Sequence, residues 1–228
     1  MSAGRDPALS GAQRAAFILA NTRLLSPPLV PEVRLHLAAE SLPIWRKTED
    51  ELGREGLPPP YWAFAWAGGQ ALARYMLDHA DVVRGRQVLD LGAGSGIAAI
   101  AAMKAGAAAA LAADIDGFAQ VAMGLNAATN GVGLATTTND LLSEGGAEAS
   151  AAQLLLVGDL FYERPLADAV LKFIERAAAA GATVLVGDPR RSYFPASRFV
   201  PVAEYQVPVS RELEDAEIKR AAVWRLAG

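Results

Sequence analysis

The ten residues from Gln87 to Gly96, QVLDLGAGSG, constrain the fold of this chain more than any other stretch. An apolar run ending in an acid and passing straight into Gly92, Gly94 and Gly96 reads as a buried strand, a tight turn and the opening of a helix. Glycine lets such a turn take left-handed angles and bring backbone close to a ligand. A strand joined to a helix in this way belongs to a parallel sheet covered by crossover helices.

The same unit recurs along the chain. A helix from about Gly69 to His79 precedes the strand RQVLDL; GIAAIAAMKAG is a helix, ALAAD a second strand and GFAQVAMGLNAATNG a second crossover helix. ATTTND is the third strand, AQLLLVGD the fourth, PLADAVLKFIERAAAAG a helix and ATVLVGDP the fifth strand. RFVPVAEYQVPV and IKRAAVWRLA have no helix between them, which predicts an antiparallel hairpin at the sheet edge. The expectation is an α/β protein with a Rossmann-like sheet of seven strands and an antiparallel final hairpin.

Before this unit the pattern is irregular. Ser10 with Gln13 forms a capping box opening a helix that should run to about Leu25, where SPPLVP ends it. VRLHLA alternates like a short strand, and LPIWRKTEDELGREGLPPP mixes a charged helical turn with a proline stop. Residues 1–60 are therefore expected to be an N-terminal α/β extension, a candidate substrate-recognition element, on a main domain of residues 61–228.

With 228 residues the chain is long enough for one such domain and short for two. It has no cysteine and only His36 and His79 as imidazole ligands, so no metal is expected. A net charge of −4 without a run of Lys or Arg disfavours nucleic acid as a partner. MSAGRDPALSG lacks a basic segment followed by an apolar one, which points to the cytosol. The alanine-rich stretch from Ile97 to Ala113 is broken by Lys104 and Gly106, so no membrane span is expected.

The ligand of the glycine turn follows from its neighbours. A dinucleotide fingerprint wants a small residue where Ile97 stands, and Asp90 would lie against the pyrophosphate that such a loop binds. S-adenosylmethionine has no phosphate, carries an ammonium and a sulfonium, and favours an acid there through a direct or water-mediated contact. Asp114, at the end of the second strand, suits two vicinal ribose hydroxyls in either ligand. Ala93 in the turn and Ile115 after Asp114 belong to the same candidate pocket. Asp140 either accepts from the adenine amino group, with Leu141 against the ring, or belongs to a polar turn. Asp116 reads as a helix cap. Taken with the final strand pair, these features favour a class I methyltransferase domain.

PPPYWAFAWAGGQALARYMLD, VLDLGAGSGIAAIAA, ADID, NAATNG and GDLFYERP together resemble the seven-strand protein lysine methyltransferases of family 16. The likeness runs from about Phe17 onward and is strongest to the branch that acts on the β subunit of electron transfer flavoprotein. It implies S-adenosylmethionine as methyl donor, S-adenosylhomocysteine as product, a monomeric enzyme and that flavoprotein subunit as protein partner. It places the family's D-x-x-Y motif on Asp159 to Tyr162, at the substrate lysine, and a cofactor-contacting tryptophan on Trp66. Trp66 also reads as a core aromatic beside Trp62 and Phe64, and Gly68 and Gly69 as either a close approach to the cofactor or a turn.

Methyl transfer to lysine needs a neutral amine, whereas the unperturbed lysine pKa is about 10.4. Asp159 is accordingly expected to capture and orient the lysine rather than act as a strong base, with Tyr162 and Phe161 walling its stem. GDPRRSYFP puts Asp188, Arg190 and Arg191 on the ligand-facing edge of the sheet, where the arginines either meet a protein substrate or are merely solvated. Two rival readings are a nucleobase amino-methyltransferase, for which DLFY lacks the prolines, and a binding module that has kept the fold without catalysis. A nicotinamide-dependent oxidoreductase fails at Asp90 and Ile97.

Overall fold

The computed structural model describes residues 9–39, 59–143, 152–209 and 218–227. The charged turn expected over 42–60 lies outside them except for Pro59 and Pro60.

Helix α1 (Gly11–Asn21) opens with the expected capping box, the Ser10 side chain and the Gln13 side chain each accepting from the other's backbone N–H. It ends four residues before the sequence pattern does. Asn21 Nδ2 donates to Phe17 O and Thr22 Oγ1 to Ile18 O, so side chains satisfy the last carbonyls. The chain then turns extended, and Arg23–Leu25 becomes strand β1, paired antiparallel with β2 (Leu35–Leu37). Strand pairing across ten residues overrode a helical period that LL merely continued.

Helix α2 (Ala67–Asp78) leads into the main sheet. There β3 (Gln87–Leu91), α3 (Ile97–Lys104), β4 (Ala109–Ala113), α4 (Gly117–Thr129), β5 (Ala135–Thr137), β6 (Leu154–Gly158), α5 (Arg164–Ala179), β7 (Thr183–Asp188), β8 (Phe199–Pro208) and β9 (Ile218–Leu226) follow in chain order. The seven strands run β5-β4-β3-β6-β7-β9-β8 across the sheet. β3 to β7 are parallel, and β9 lies antiparallel between β7 and β8, so the expected hairpin closes the sheet. Buried runs such as LLLV in β6 mark strands covered on both faces, while β8 at the edge is mostly open to solvent.

Two cores flank the sheet. On one side α2 and α3 pack Leu72, Met76 and Ile100 against Val88, Leu156 and Leu185. On the other, α5 packs Val170, Phe173 and Ile174 against Leu155, Val157 and Val186. A third cluster, with Ile18, Trp62, Phe118 and Ala122, joins α1 to α4. Two asparagines, Asn126 in α4 and Asn130 at its C-cap, fasten the N-terminal segment further. Asn126 Oδ1 accepts from His36 N while its Nδ2 donates to Ser95 O in the glycine turn, and Asn130 bonds both N and O of Arg34. Among the described residues no helix is long and apolar enough to cross a membrane, and no cluster of three His, Cys, Asp or Glu could hold a metal.

Candidate active site

The carboxyl ends of β4, β3, β6 and β7 lie side by side, at the edge of the sheet where α/β proteins bind ligands. Gly92, Gly94 and Gly96 all have φ between 52° and 78°, which explains three glycines in five residues. A Cβ on Gly92 would stand 2.7 Å from the Leu160 side chain, so the turn after β3 lies directly against the segment after β6. The short helical turn Tyr61–Ala63 is the other neighbour, with Tyr61 O and Trp62 Cα each 3.9 Å from a Cβ built on Gly94.

Asp90 is buried under this turn, and one oxygen accepts from Ala99 N in the first turn of α3. Burial pushes its carboxyl up to about 7, with the charge of Asp114 adding and the Ala99 N–H opposing. Asp114 bridges the two strand ends, Oδ2 accepting from Gly94 N at 2.9 Å and Oδ1 from Asp116 N at 3.0 Å. Burial raises its pKa against those two hydrogen bonds. The Gly94 N–H, an anion ligand in a phosphate loop, is thus already engaged by a carboxylate. Two acids and an occupied donor fit a cationic, phosphate-free nucleoside and disfavour a pyrophosphate.

Around this centre the other expected residues fall into place unequally. Ala93 is buried in the turn, and Ile115, next to Asp114 in the chain, stands 73% exposed. Asp116 caps α4 by accepting from Phe118 N. Asp140 is exposed, and its side chain closes a turn by accepting from Leu142 N, while Leu141 is buried in the α5-side core.

Trp66 sits just before α2, its Nε1 donating to Tyr61 O. Tyr61 lies 6.1 Å from Trp66 and 6.0 Å from Tyr162 between ring centroids, and Phe64 lies 5.8 Å from Trp66. Four aromatic rings therefore frame one wall, with Tyr61 and Tyr162 more than 40% exposed. Burial, with the charges of Glu163 and Asp114, raises the Tyr162 pKa and keeps the phenol protonated. Phe161 does not take part. It is fully buried beside Phe194 and Phe199, because the turn after β6 sends alternate residues to opposite sides.

Asp159 holds a backbone φ of 59°, a left-handed angle that short polar side chains tolerate best. Its Oδ2 accepts from Gly69 N at 3.0 Å, at the start of α2. Its Oδ1 accepts from Arg191 Nη2 at 2.7 Å and Nε at 3.1 Å. Arg191 also lies 5.4 Å from the Trp66 ring, and its backbone N–H donates to Asp188 Oδ1 at 2.7 Å. The sequence leaves Arg191 between a solvated and a substrate-facing residue; instead it turns inward onto Asp159. Asp188 is fully buried, and burial with the Asp159 charge pushes its carboxyl up to about 7.

Gly68 and Gly69 prove to serve helix-on-sheet contact. A Cβ on Gly68 would lie 2.1 Å from Gly187 O and 2.6 Å from Asp159 Oδ2, so α2 rests directly on the ends of β6 and β7. Tyr61 is the site residue that sequence reasoning missed, and for Arg191, already a candidate at the sheet edge, it missed the partner. The five-residue spacing of Tyr61 and Trp66 was the available signal for the first, and nothing local pairs Arg191 with a residue 32 positions away.

Over 216 residues, 92% of its length, the chain is 40% identical to an electron transfer flavoprotein β subunit lysine methyltransferase of Xenopus laevis, of which it covers 85%. It is 37% identical over the same span to the Danio rerio protein of that name, of which it covers 81%. A family model described as ribosomal protein L11 methyltransferase (PrmA) matches residues 70–180. Among solved structures, Thermoplasma acidophilum 1320 superposes with TM-score 0.51 at 20% identity, over 70% of this chain and 89% of the other. SMU.776, solved in complex with SAH, does so with TM-score 0.50 at 11% identity, over 71% of this chain and 50% of that one.

Proposed function

We propose that this chain, which belongs to the electron transfer flavoprotein β subunit lysine methyltransferase family, acts on that flavoprotein subunit and draws the methyl group from S-adenosylmethionine. The chain is a protein-lysine methyltransferase with the seven-strand fold expected from its sequence. The observation that carries the substrate reading is the contact between the glycine turn and the D-x-x-Y segment. Leu160 fills the space over Gly92, so Asp159 and Tyr162 stand beside the candidate cofactor turn inside an aromatic frame.

Gly92, Ala93 and Gly94 would cradle the nucleoside backbone, Asp114 the ribose hydroxyls, and Ile115 an apolar ring face. Asp90, Trp66, Asp140 and Leu141 complete the set proposed to hold it. When bound, S-adenosylmethionine supplies a methyl carbon activated by the adjoining sulfonium. The protein's own tasks are then alignment and a neutral amine. The ring faces of Tyr61, Trp66 and Tyr162 suit an aliphatic stem and a methylated ammonium head. Their apolar surface disfavours the charged lysine, and Asp159 orients the nitrogen. Residues 1–60 are the proposed recognition element, and within it His36 is tied through Asn126 to Ser95 in the glycine turn.

Incubating purified electron transfer flavoprotein with the enzyme and labelled S-adenosylmethionine tests this, with intact-mass readout on the β subunit. Mass steps of one methyl group are expected. An unmodified β subunit would overturn the substrate, and calorimetric binding of NAD in place of S-adenosylhomocysteine would overturn the cofactor.

A further inference from the structure

Asp159 presents a chemical difficulty that the proposed function leaves open. A carboxylate within about 4–6 Å of an ammonium favours the charged form by roughly 1–3 pK units. Left to itself, Asp159 would hold the substrate lysine as an ammonium and cut the reactive fraction about tenfold or more. Transfer needs the nitrogen lone pair. One proton passes to water, the N–C bond forms and the C–S bond breaks, its electron pair leaving on sulfur.

We propose, resting on the function above, that Arg191 is a positioning residue for this reaction: its guanidinium cancels the charge of Asp159, so the carboxylate orients the lysine without trapping it protonated. Both Nε and Nη2 reach the same oxygen, Oδ1, at 3.1 and 2.7 Å. The guanidinium is braced over Trp66, and its backbone is held by Asp188. Its side chain is 17% exposed, so the pair is poorly screened by water. A surface arginine that only adjusted solubility would show none of these constraints.

Among the described residues, the neighbouring elements contribute these other charged or titratable groups. From the end of β7 come Asp188, an acid, and Arg190, whose guanidinium lies over Trp224. After β6 come Tyr162 and Glu163, at the end of β4 Asp114, and ahead of α2 the neutral Tyr61 and Trp66. The start of α2 gives Asp159 the Gly69 N–H.

The test compares Arg191→Gln and Arg191→Lys with the wild type on flavoprotein β subunit, measuring kcat at saturating substrate from pH 7 to 10, where the pKa of the bound lysine is read, and S-adenosylhomocysteine affinity by calorimetry. The glutamine variant should bind S-adenosylhomocysteine normally, lose about tenfold or more in kcat near pH 8, and recover toward pH 10, because the rising limb set by the bound, desolvated lysine moves up by about one unit. The lysine variant, which keeps the charge, should retain the wild-type profile. A loss equal at every pH, or a superimposable glutamine profile, would overturn the proposal while leaving the function standing. Should the glutamine variant fail to bind the product, the lysine variant decides: a shifted limb overturns the proposal and an unshifted one supports it. No transfer by the wild type would overturn the functional reading and this proposal together.

Discussion

Replacing Asp159 by alanine removes three things at once, and their sizes can be worked from the geometry. The Arg191 side chain, only 17% exposed, loses its carboxylate. Breaking a fully buried pair costs about 3–5 kcal/mol, and the remaining access of Arg191 to water reduces that to about 2–3 kcal/mol. Gly69 N–H loses its acceptor at the buried start of α2, about 1 kcal/mol. Alanine at a φ of 59° adds about 1 kcal/mol that aspartate and asparagine largely avoid. The sum is about 4–5 kcal/mol. With an unfolding entropy of about 2.1 cal/mol/K per residue, a chain of 228 residues should melt about 9 °C lower. Asp159→Asn keeps the backbone angle and the acceptor and loses only the charge, so about 2–3 kcal/mol and about 5 °C are expected. Both variants should lose methyl transfer while still binding S-adenosylhomocysteine. Thermal unfolding of the two beside Arg191→Gln and the double variant checks the reasoning, since the paired losses should fall well short of additive. An alanine variant melting within about 2 °C of the wild type would refute the ion pair as a structural tie.

Two further outcomes follow from the same site. Asp90 has its pKa raised from 3.8 to about 7 by burial, so its stabilising effect is complete below pH 3.8 and is lost as pH rises through 7, about 4 kcal/mol in all. Asp188 acts in the same direction, so Asp90→Asn should remove about half of the fall in urea midpoint between pH 5 and 8, and an unchanged slope would sink this assignment. Gly68→Ala should cost about 3 kcal/mol or more, because its Cβ would lie 2.1 Å from Gly187 O, whereas Gly11→Ala meets nothing within 4 Å and should change stability by no more than about 1 kcal/mol in urea titrations.

Everything carried by short-range pattern was legible in the order of residues. Continuous apolar runs announced the covered parallel strands, the glycines announced a left-handed turn, and Ser10 with Gln13 announced a capped helix, because each depends on residues a few positions apart. Asp114 was legible as a strand-end acid for the same reason. The tertiary structure decided which side chains from separate strands meet. Arg191 and Asp159 are joined only because β7 lies beside β6, and Gly68 is obligatory only because α2 descends onto Gly187. The end of α1 changed to strand because Leu35–Leu37 offered Arg23–Leu25 a partner, and Phe161 went inward while Tyr162 stayed exposed. Periodicity encodes which face of an element is buried, but the partner buried against it is set by packing and hydrogen bonding between elements distant along the chain.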